Sequence, residues 1–205
     1  MELGVKMAHK RNNVSREFRH GMRGESAIRC IGDLYTGCEI MGLTKGDFSM
    51  IDILTHCLDQ TGIADVVIGT WTAGHADVKQ AERIFTNGGI SNLRMLVDRS
   101  FPNRQPKYFQ RVIEAFGPES VRLARFHAKF ILIKSETYNL VVRTSMNLNE
   151  NKRIELYEIS DDAEMMGYYD EIVEAHFSQP MEDSYSAFKS LKIGPELAAS
   201  DSWAL

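Results

Sequence analysis

His127 and Lys129 stand two residues apart at the head of an apolar run, Phe130-Ile-Leu-Ile133, and a second polar group follows it: Ser145, Asn147 and Glu155. In a strand, alternate side chains share a face. His127 and Lys129 would then point one way with Ile131 and Ile133, and Phe126, Ala128, Phe130 and Leu132 the other. Placing an imidazole and an ammonium in a core without partners would cost several kcal/mol, so the pair needs a reason to be there. Arg143, Ser145 and Asn147 share a parity on the next strand. A hairpin through Ser135–Tyr138 would bring Ser145 and Asn147 towards His127 and Lys129. An imidazole, an ammonium, a hydroxyl and a carboxamide at one spot suit a phosphodiester. The neutral imidazole can attack phosphorus and hold it covalently, splitting one hard displacement into two easier ones. Lys129 and Asn147 can donate to the non-bridging oxygens as their charge grows. A carboxylate behind the ring would fix its tautomer and stabilise the imidazolium. Glu155 is the candidate for that role, and Glu158 is the alternative, because the loop after Asn147 can shift.

The elements needed to position these groups are legible as an alternation of strands and helices. Apolar runs at 38–43, 64–71 and 92–98 read as strands, followed by two close together at 121–133 and 138–145. Ser49, with Asp52 three residues on, opens a helix whose apolar face is Met50, Ile53, Leu54, Cys57 and Leu58. A second helix is expected over 75–86, stopped by Asn87-Gly88-Gly89. A third opens at Pro106 and ends at Gly117-Pro118. Asp161 or Asp162 caps a fourth, with Met165, Met166, Tyr169, Ile172, Val173 and Phe177 inward. This order predicts an α/β fold, a mixed and mostly parallel central sheet with helices on both faces. The division expected is a basic N-terminal arm over 1–25, one domain over 26–178 and a helical tail over 179–205.

His-x-Lys on a strand, then a Ser-x-Asn turn, then a glutamate, resembles the phospholipase D superfamily, whose motif runs His-x-Lys-x4-Asp and later Gly-Ser-x-Asn. The matching residues are His127-Ala-Lys129 and Thr144-Ser145-Met-Asn147, with Glu155 in the place of the ring-orienting acid. The strand–helix order from Cys38 to Phe177, about 140 residues, resembles one half of that fold. Members with a single motif, such as the small bacterial endonucleases, pair as homodimers and bring two motifs to one shared site. The resemblance therefore implies a homodimer in which His127 of one subunit is the nucleophile and His127 of the other the general acid, with no metal or cofactor required. Two positions depart from the pattern: Lys134 stands where the motif has Asp, and Thr144 where it has Gly. The resemblance makes that Asp a support of the fold, and alternation puts residue 134 on the face opposite His127. A catalytically silent nucleic-acid-binding or assembly protein that keeps the fold is the alternative these departures raise.

Charge and composition narrow the substrate. The chain has 205 residues and a net charge of −4, yet residues 94–134 carry nine Lys/Arg against three acids, and residues 1–30 seven against three. From Glu155 onward twelve acids face two lysines. Because screening confines a charge to about 8–10 Å, a local basic zone attracts phosphates on an acidic protein. Arg104, Lys107, Arg111, Arg125 and Arg143 are the expected substrate-binding cations, and DNA or RNA the expected substrate. A lipid or small-molecule phosphodiester is a further alternative, disfavoured by the single motif, the small size and the basic 94–134 region, since the resemblance implies two motifs and larger chains for lipases; no run approaches the roughly 18 apolar residues of a membrane span, and no stable membrane association is expected. Three cysteines (Cys30, Cys38, Cys57) are an odd number without metal-type spacing, and no close cluster of metal ligands stands out. Together with the absence of an apolar stretch behind the basic N-terminus, they point to the cytoplasm. His176 reads as a packing residue, and His56 and His75 as helix residues.

Overall fold

The computed structural model describes residues 15–21, 24–149 and 152–178. The tail expected over 179–205 lies outside them. In chain order the elements are β1 (Arg16–His20), α1 (Ala27–Ile31), β2 (Glu39–Leu43), α2 (Met50–Thr61), β3 (Ala64–Thr70), α3 (His75–Thr86), β4 (Ile90–Asp98), α4 (Phe101–Arg104), α5 (Pro106–Phe116), β5 (Val121–Ala124), β6 (Phe130–Lys134), β7 (Asn139–Thr144), β8 (Leu156–Asp161) and α6 (Ala163–Phe177). Ends form where the side chains supply partners. At α2, Asp52 accepts from the Ser49 backbone N–H (2.8 Å) and hydroxyl (3.0 Å), and at α6 Asp162 accepts from the N–H groups of Glu164 and Met165, satisfying donors that a helix N-terminus leaves open.

The strands make one sheet in the order β1-β2-β8-β7-β6-β3-β4-β5. It is mixed. The pairs β1–β2, β3–β4 and β4–β5 are parallel, and the four pairs that involve β6 or β8 are antiparallel. Six strands nevertheless share one direction, with β6 and β8 threaded between them in reverse. The C-terminal ends of β1, β2, β7, β3, β4 and β5 therefore meet the N-terminal ends of β6 and β8 along one rim. Ligands in open α/β sheets bind at such a rim.

One face of the sheet turns Ile40, Ile68, Met95, Ile131, Ile133, Val142 and Ile159 onto α1, α2, α3 and α5. The other turns Val67, Leu96, Phe130, Leu132 and Val141 towards Met166 and Val173 of α6. Cys30, Cys38 and Cys57 are buried free thiols, and burial pushes the Cys57 thiol well above its usual range. They are packing groups.

The structure differs from the elements expected in five places. Arg16–His20, placed in the arm, adds β1 as a parallel edge strand against β2. Its residues, Arg-Glu-Phe-Arg-His, carry no apolar run because an edge strand needs little burial. The short helices α1 and α4 and the strand β8 are additional to the elements expected. The single strand expected over 121–133 is two strands, β5 and β6, separated by 125–129. The reason is topological. β5 pairs with β4, whereas β6 pairs with β3 and β7, so the chain must leave the sheet and cross the ends of β4 and β3.

The crossing is packed down by Phe126, whose ring meets that of Phe130 edge-on at 5.7 Å. Both rings lie over Gly69 of β3, where a Cβ would stand 2.7 Å from Phe130 Cε1 and 2.9 Å from Phe126 Cε1. Gly69→Ala is therefore expected to destabilise the protein by about 1–3 kcal/mol, the usual range for overpacking a core. Urea denaturation of both proteins checks this, and an unchanged midpoint would contradict it.

Candidate functional site

The crossing 125–129 and the end of β5 that leads into it are held at three points. Arg99 N–H donates to Ala124 O (2.7 Å), Phe126 N–H donates to Asp98 Oδ2 (3.1 Å), and Thr144 N–H donates to Lys129 O (3.1 Å). His127 is thereby set on the rim with its side chain exposed, and Lys129 is half-buried beside it. Lys129 Nζ lies 3.0 Å from His127 Nδ1 and 3.4 Å from Nε2. The imidazole also rests against Trp71, at the end of β3, with centroids 5.6 Å apart and planes at 56°. The two groups share a side, as strand alternation would have them, but they are not in a core strand. No burial penalty has to be met for the histidine.

The second polar group is fixed by the loop after β7. Thr144 Oγ1 donates to Leu156 O (2.7 Å) and accepts from Met146 N–H (3.0 Å), which fixes the chain as it leaves β7. Ser145 Oγ donates to Glu155 Oε2 and accepts from Leu156 N–H at 2.9 Å. Leu148 is tied to the end of β3 by its N–H to Thr70 Oγ1 (3.0 Å) and by Gly74 N–H to its own carbonyl (2.6 Å). Asn147 sits between these anchors, half-buried, and its Oδ1 is buried without a hydrogen-bond partner among the described residues.

Burial lowers the pKa of Lys129, while the nearby Glu155 carboxylate raises it, and burial dominates. Glu155 thus belongs to the neighbourhood of both Ser145 and Lys129. Glu158 is engaged elsewhere, in an ion pair with Arg143 at 2.8 Å. Lys134 reaches Asp170 of α6 at 3.9 Å, on the face of the sheet away from the core that Ile131 and Ile133 join.

The expected binding cations divide. Arg104, Lys107 and Arg125 are exposed. Arg104 stacks on Trp71, its Cζ 3.6 Å from the ring centroid. Arg111 is ion-paired with Glu82 of α3 and with Glu114 at 3.8 Å. Arg143 lies opposite Phe130 in the β6–β7 register, on the α6 side, paired with Glu158. The sequence grouped these two with the others by charge alone, which cannot show that α3 and β8 present acids to them. Among the remaining histidines, His56 Nε2 is 2.7 Å from Gly32 O and His176 Nδ1 is 2.8 Å from Ile172 O, so both serve packing. No cluster of three or more His, Cys, Asp or Glu disposed to hold a metal occurs among the described residues.

Trp71, Asp98 and Ser100 are additional to the residues expected at the site. Asp98 closes β4 and gathers several donors. Burial would raise its pKa, but hydrogen bonds from the Ser100 hydroxyl, from the Ser100 and Phe126 N–H groups, and the charge of Arg104 outweigh it and hold it below the usual carboxylate value. The available signal was Asp98-Arg-Ser100 directly at a strand end, and an aromatic residue at the end of the buried strand β3.

No protein-family model matches the chain, and no curated protein does. Among solved structures, the chain is similar over 69% of its length to 26% of a polyphosphate kinase from Porphyromonas gingivalis, with a TM-score of 0.51 and 12% identity. It thus spans about a quarter of that kinase's length. A phospholipase D family member, Nuc, from Salmonella typhimurium aligns with 69% of this chain and 94% of its own at a TM-score of 0.47 and 14% identity. NucT from Helicobacter pylori aligns with 68% and 96% at 0.47 and 14%. At 12% identity the likeness to the kinase is one of fold alone, a mixed α/β architecture.

Lys129 is expected to titrate below the other lysines. Glu155→Gln should lower its pKa further, because it removes the carboxylate that favours the ammonium form. Following lysine side-chain resonances by NMR across alkaline pH checks both. An ordinary lysine titration, or an upward shift in the variant, would contradict the assignment.

Proposed function

We propose that the protein is a metal-independent phosphodiesterase acting on nucleic acid, a nuclease that works through a phosphohistidine at His127 in a site shared by two subunits. The observation that carries this reading is the exposed imidazole of His127 with the Lys129 ammonium 3.0 Å from its Nδ1, set on the rim where the sheet's strands end. A phosphate arriving there competes for the lysine protons. As Lys129 turns to the non-bridging oxygens, a ring nitrogen is freed to attack.

The nitrogen–phosphorus bond forms as the phosphorus–oxygen bond to the leaving group breaks. The departing oxygen takes its proton from His127 of the partner subunit. In the second step a water gives its proton back to that imidazole and attacks phosphorus, and the phosphorus–nitrogen bond breaks. Lys129 and Asn147 bear the charge of the non-bridging oxygens throughout. Glu155, joined to Ser145, partly offsets the effect of burial on the Lys129 ammonium and stands as the acid that orients the site. Arg104, Lys107 and Arg125 are the exposed cations for the flanking chain, while Arg111 and Arg143 serve the fold. A homodimer supplies the second imidazole because a two-fold contact repeats the same patch on both subunits.

Wild-type protein is expected to cut a labelled oligonucleotide in excess EDTA, and His127→Ala to lose at least a thousandfold in rate with its melting temperature little changed. Mixed wild-type and His127→Ala dimers should fail to complete turnover. Cleavage that stops in chelator and returns with magnesium would contradict the chemistry. Undiminished cleavage by the variant would contradict the assignment of His127. Binding without cleavage by the wild type would make the chain a silent nucleic-acid-binding relative.

A further inference from the structure

Arg104 is held unusually firmly for an exposed cation. Its guanidinium lies on the Trp71 indole at 3.6 Å. Its Nε donates to Ser100 Oγ at 2.9 Å and one terminal nitrogen donates to Trp71 O at 2.9 Å. Ser100 is free to accept because its own hydroxyl proton goes to Asp98 Oδ1. Asp98 uses its other oxygen on Phe126 N–H, next to His127. The same carboxylate thus sets the arginine and the histidine relative to one another.

The fixed guanidinium keeps further N–H donors with no protein acceptor among the described residues. It is held against the same indole that His127 touches. Thr72 secures the indole's loop through its hydroxyl, which donates to Gln105 at the start of α5.

We propose that Trp71 and Arg104 form a second phosphate subsite, beside the one served by His127 and Lys129, which receives the neighbouring phosphate of a polynucleotide. The inference rests on reading His127 as the nucleophile towards a nucleic-acid phosphodiester. A guanidinium is planar, always charged and matched to two phosphate oxygens, and it stacks on an aromatic face where an ammonium does not. One already stacked and doubly bonded has lost its rotamer freedom before the substrate arrives, so little ordering remains to oppose binding. Its place beside the scissile site means that it engages only a substrate that continues past the cleaved bond with another charge. A single small diester has none. The subsite therefore selects chains of consecutive phosphodiesters over lipid or small-molecule diesters. Lys107 and Arg125, exposed and without such anchoring, contribute general attraction instead.

The test compares Arg104→Ala and Arg104→Lys with wild type on two probes, a fluorescent single-stranded 12-mer and bis-p-nitrophenyl phosphate. The ratio of kcat/KM for the 12-mer to that for the small diester is expected to fall at least tenfold in Arg104→Ala. A loss of that size matches one charge-assisted hydrogen-bonded contact. Arg104→Lys should restore little of it, since charge without the stack is not enough. The salt dependence of 12-mer binding should lose about one unit of slope. An unchanged ratio, or full rescue by lysine, would overturn the subsite. Binding of the 12-mer by fluorescence anisotropy separates this from the reading it rests on. If wild type cleaves neither probe but Arg104→Ala still weakens binding tenfold, the phosphate subsite stands and the nuclease reading falls. If anisotropy is also unchanged, the subsite fails.

Discussion

The chain leaves β5 at the outer edge of the sheet and must pass the ends of β4 and β3 before it can pair again as β6. Adjacent strands are about 4.8 Å apart, so the crossing spans several strand spacings without ladder hydrogen bonds of its own. Residues 125–129 make it, and Asp98 holds it down by accepting from Phe126 N–H. Gly69 makes the room, because any side chain there would meet Phe126 and Phe130. The groups of the candidate site are set out from this strap. It lifts His127 out of the core onto the rim, turns Lys129 beside it, and lies across the strand end where Trp71 begins.

The rim gathers donors and acceptors from elements far apart in sequence because six strands end there together. The loop after β7 is tied back to β3 through Thr70 and Gly74, which brings Asn147 to the same end of the sheet as the strap. Charge is arranged in small, local balances. Glu155 opposes the effect of burial on Lys129, Glu158 occupies Arg143, and Glu82 occupies Arg111. Of the cations expected to bind substrate, Arg104, Lys107 and Arg125 remain exposed, in the stretch from α4 to the strap.

Much of this was legible in the sequence where local chemistry decides the outcome. Ser49 with Asp52, Pro106 with Gly117, and Asp162 each marked a helix end, because caps are local interactions written within a few residues. The long apolar strands β3 and β4 were legible for the same reason, since a strand covered on both faces needs a continuous apolar run. The failures are equally physical. β1 is an edge strand and β8 alternates Glu158 and Ser160 with apolar residues, so neither carries such a run. The break between β5 and β6 depends on which strands neighbour each other, and no residue in 121–133 records that β3 and β4 lie between them. Alternation still put His127 and Lys129 on one side, but the expectation that they lie in a buried strand did not survive the crossing. The ion pairs of Arg111 with Glu82 and of Arg143 with Glu158 were not legible, because the partners come from elements brought near only by the fold.

The central claim is that His127 becomes covalently attached to phosphorus during turnover. Rapid mixing of the protein with excess labelled oligonucleotide, an alkaline quench that preserves phosphohistidine, and peptide mapping by mass spectrometry would test it directly. The expected result is a transient nucleotidyl adduct on the peptide containing His127, rising before the burst of product ends and absent from His127→Ala. Cleavage that proceeds through many turnovers with no adduct at any time, or with the adduct on another residue, would contradict the account.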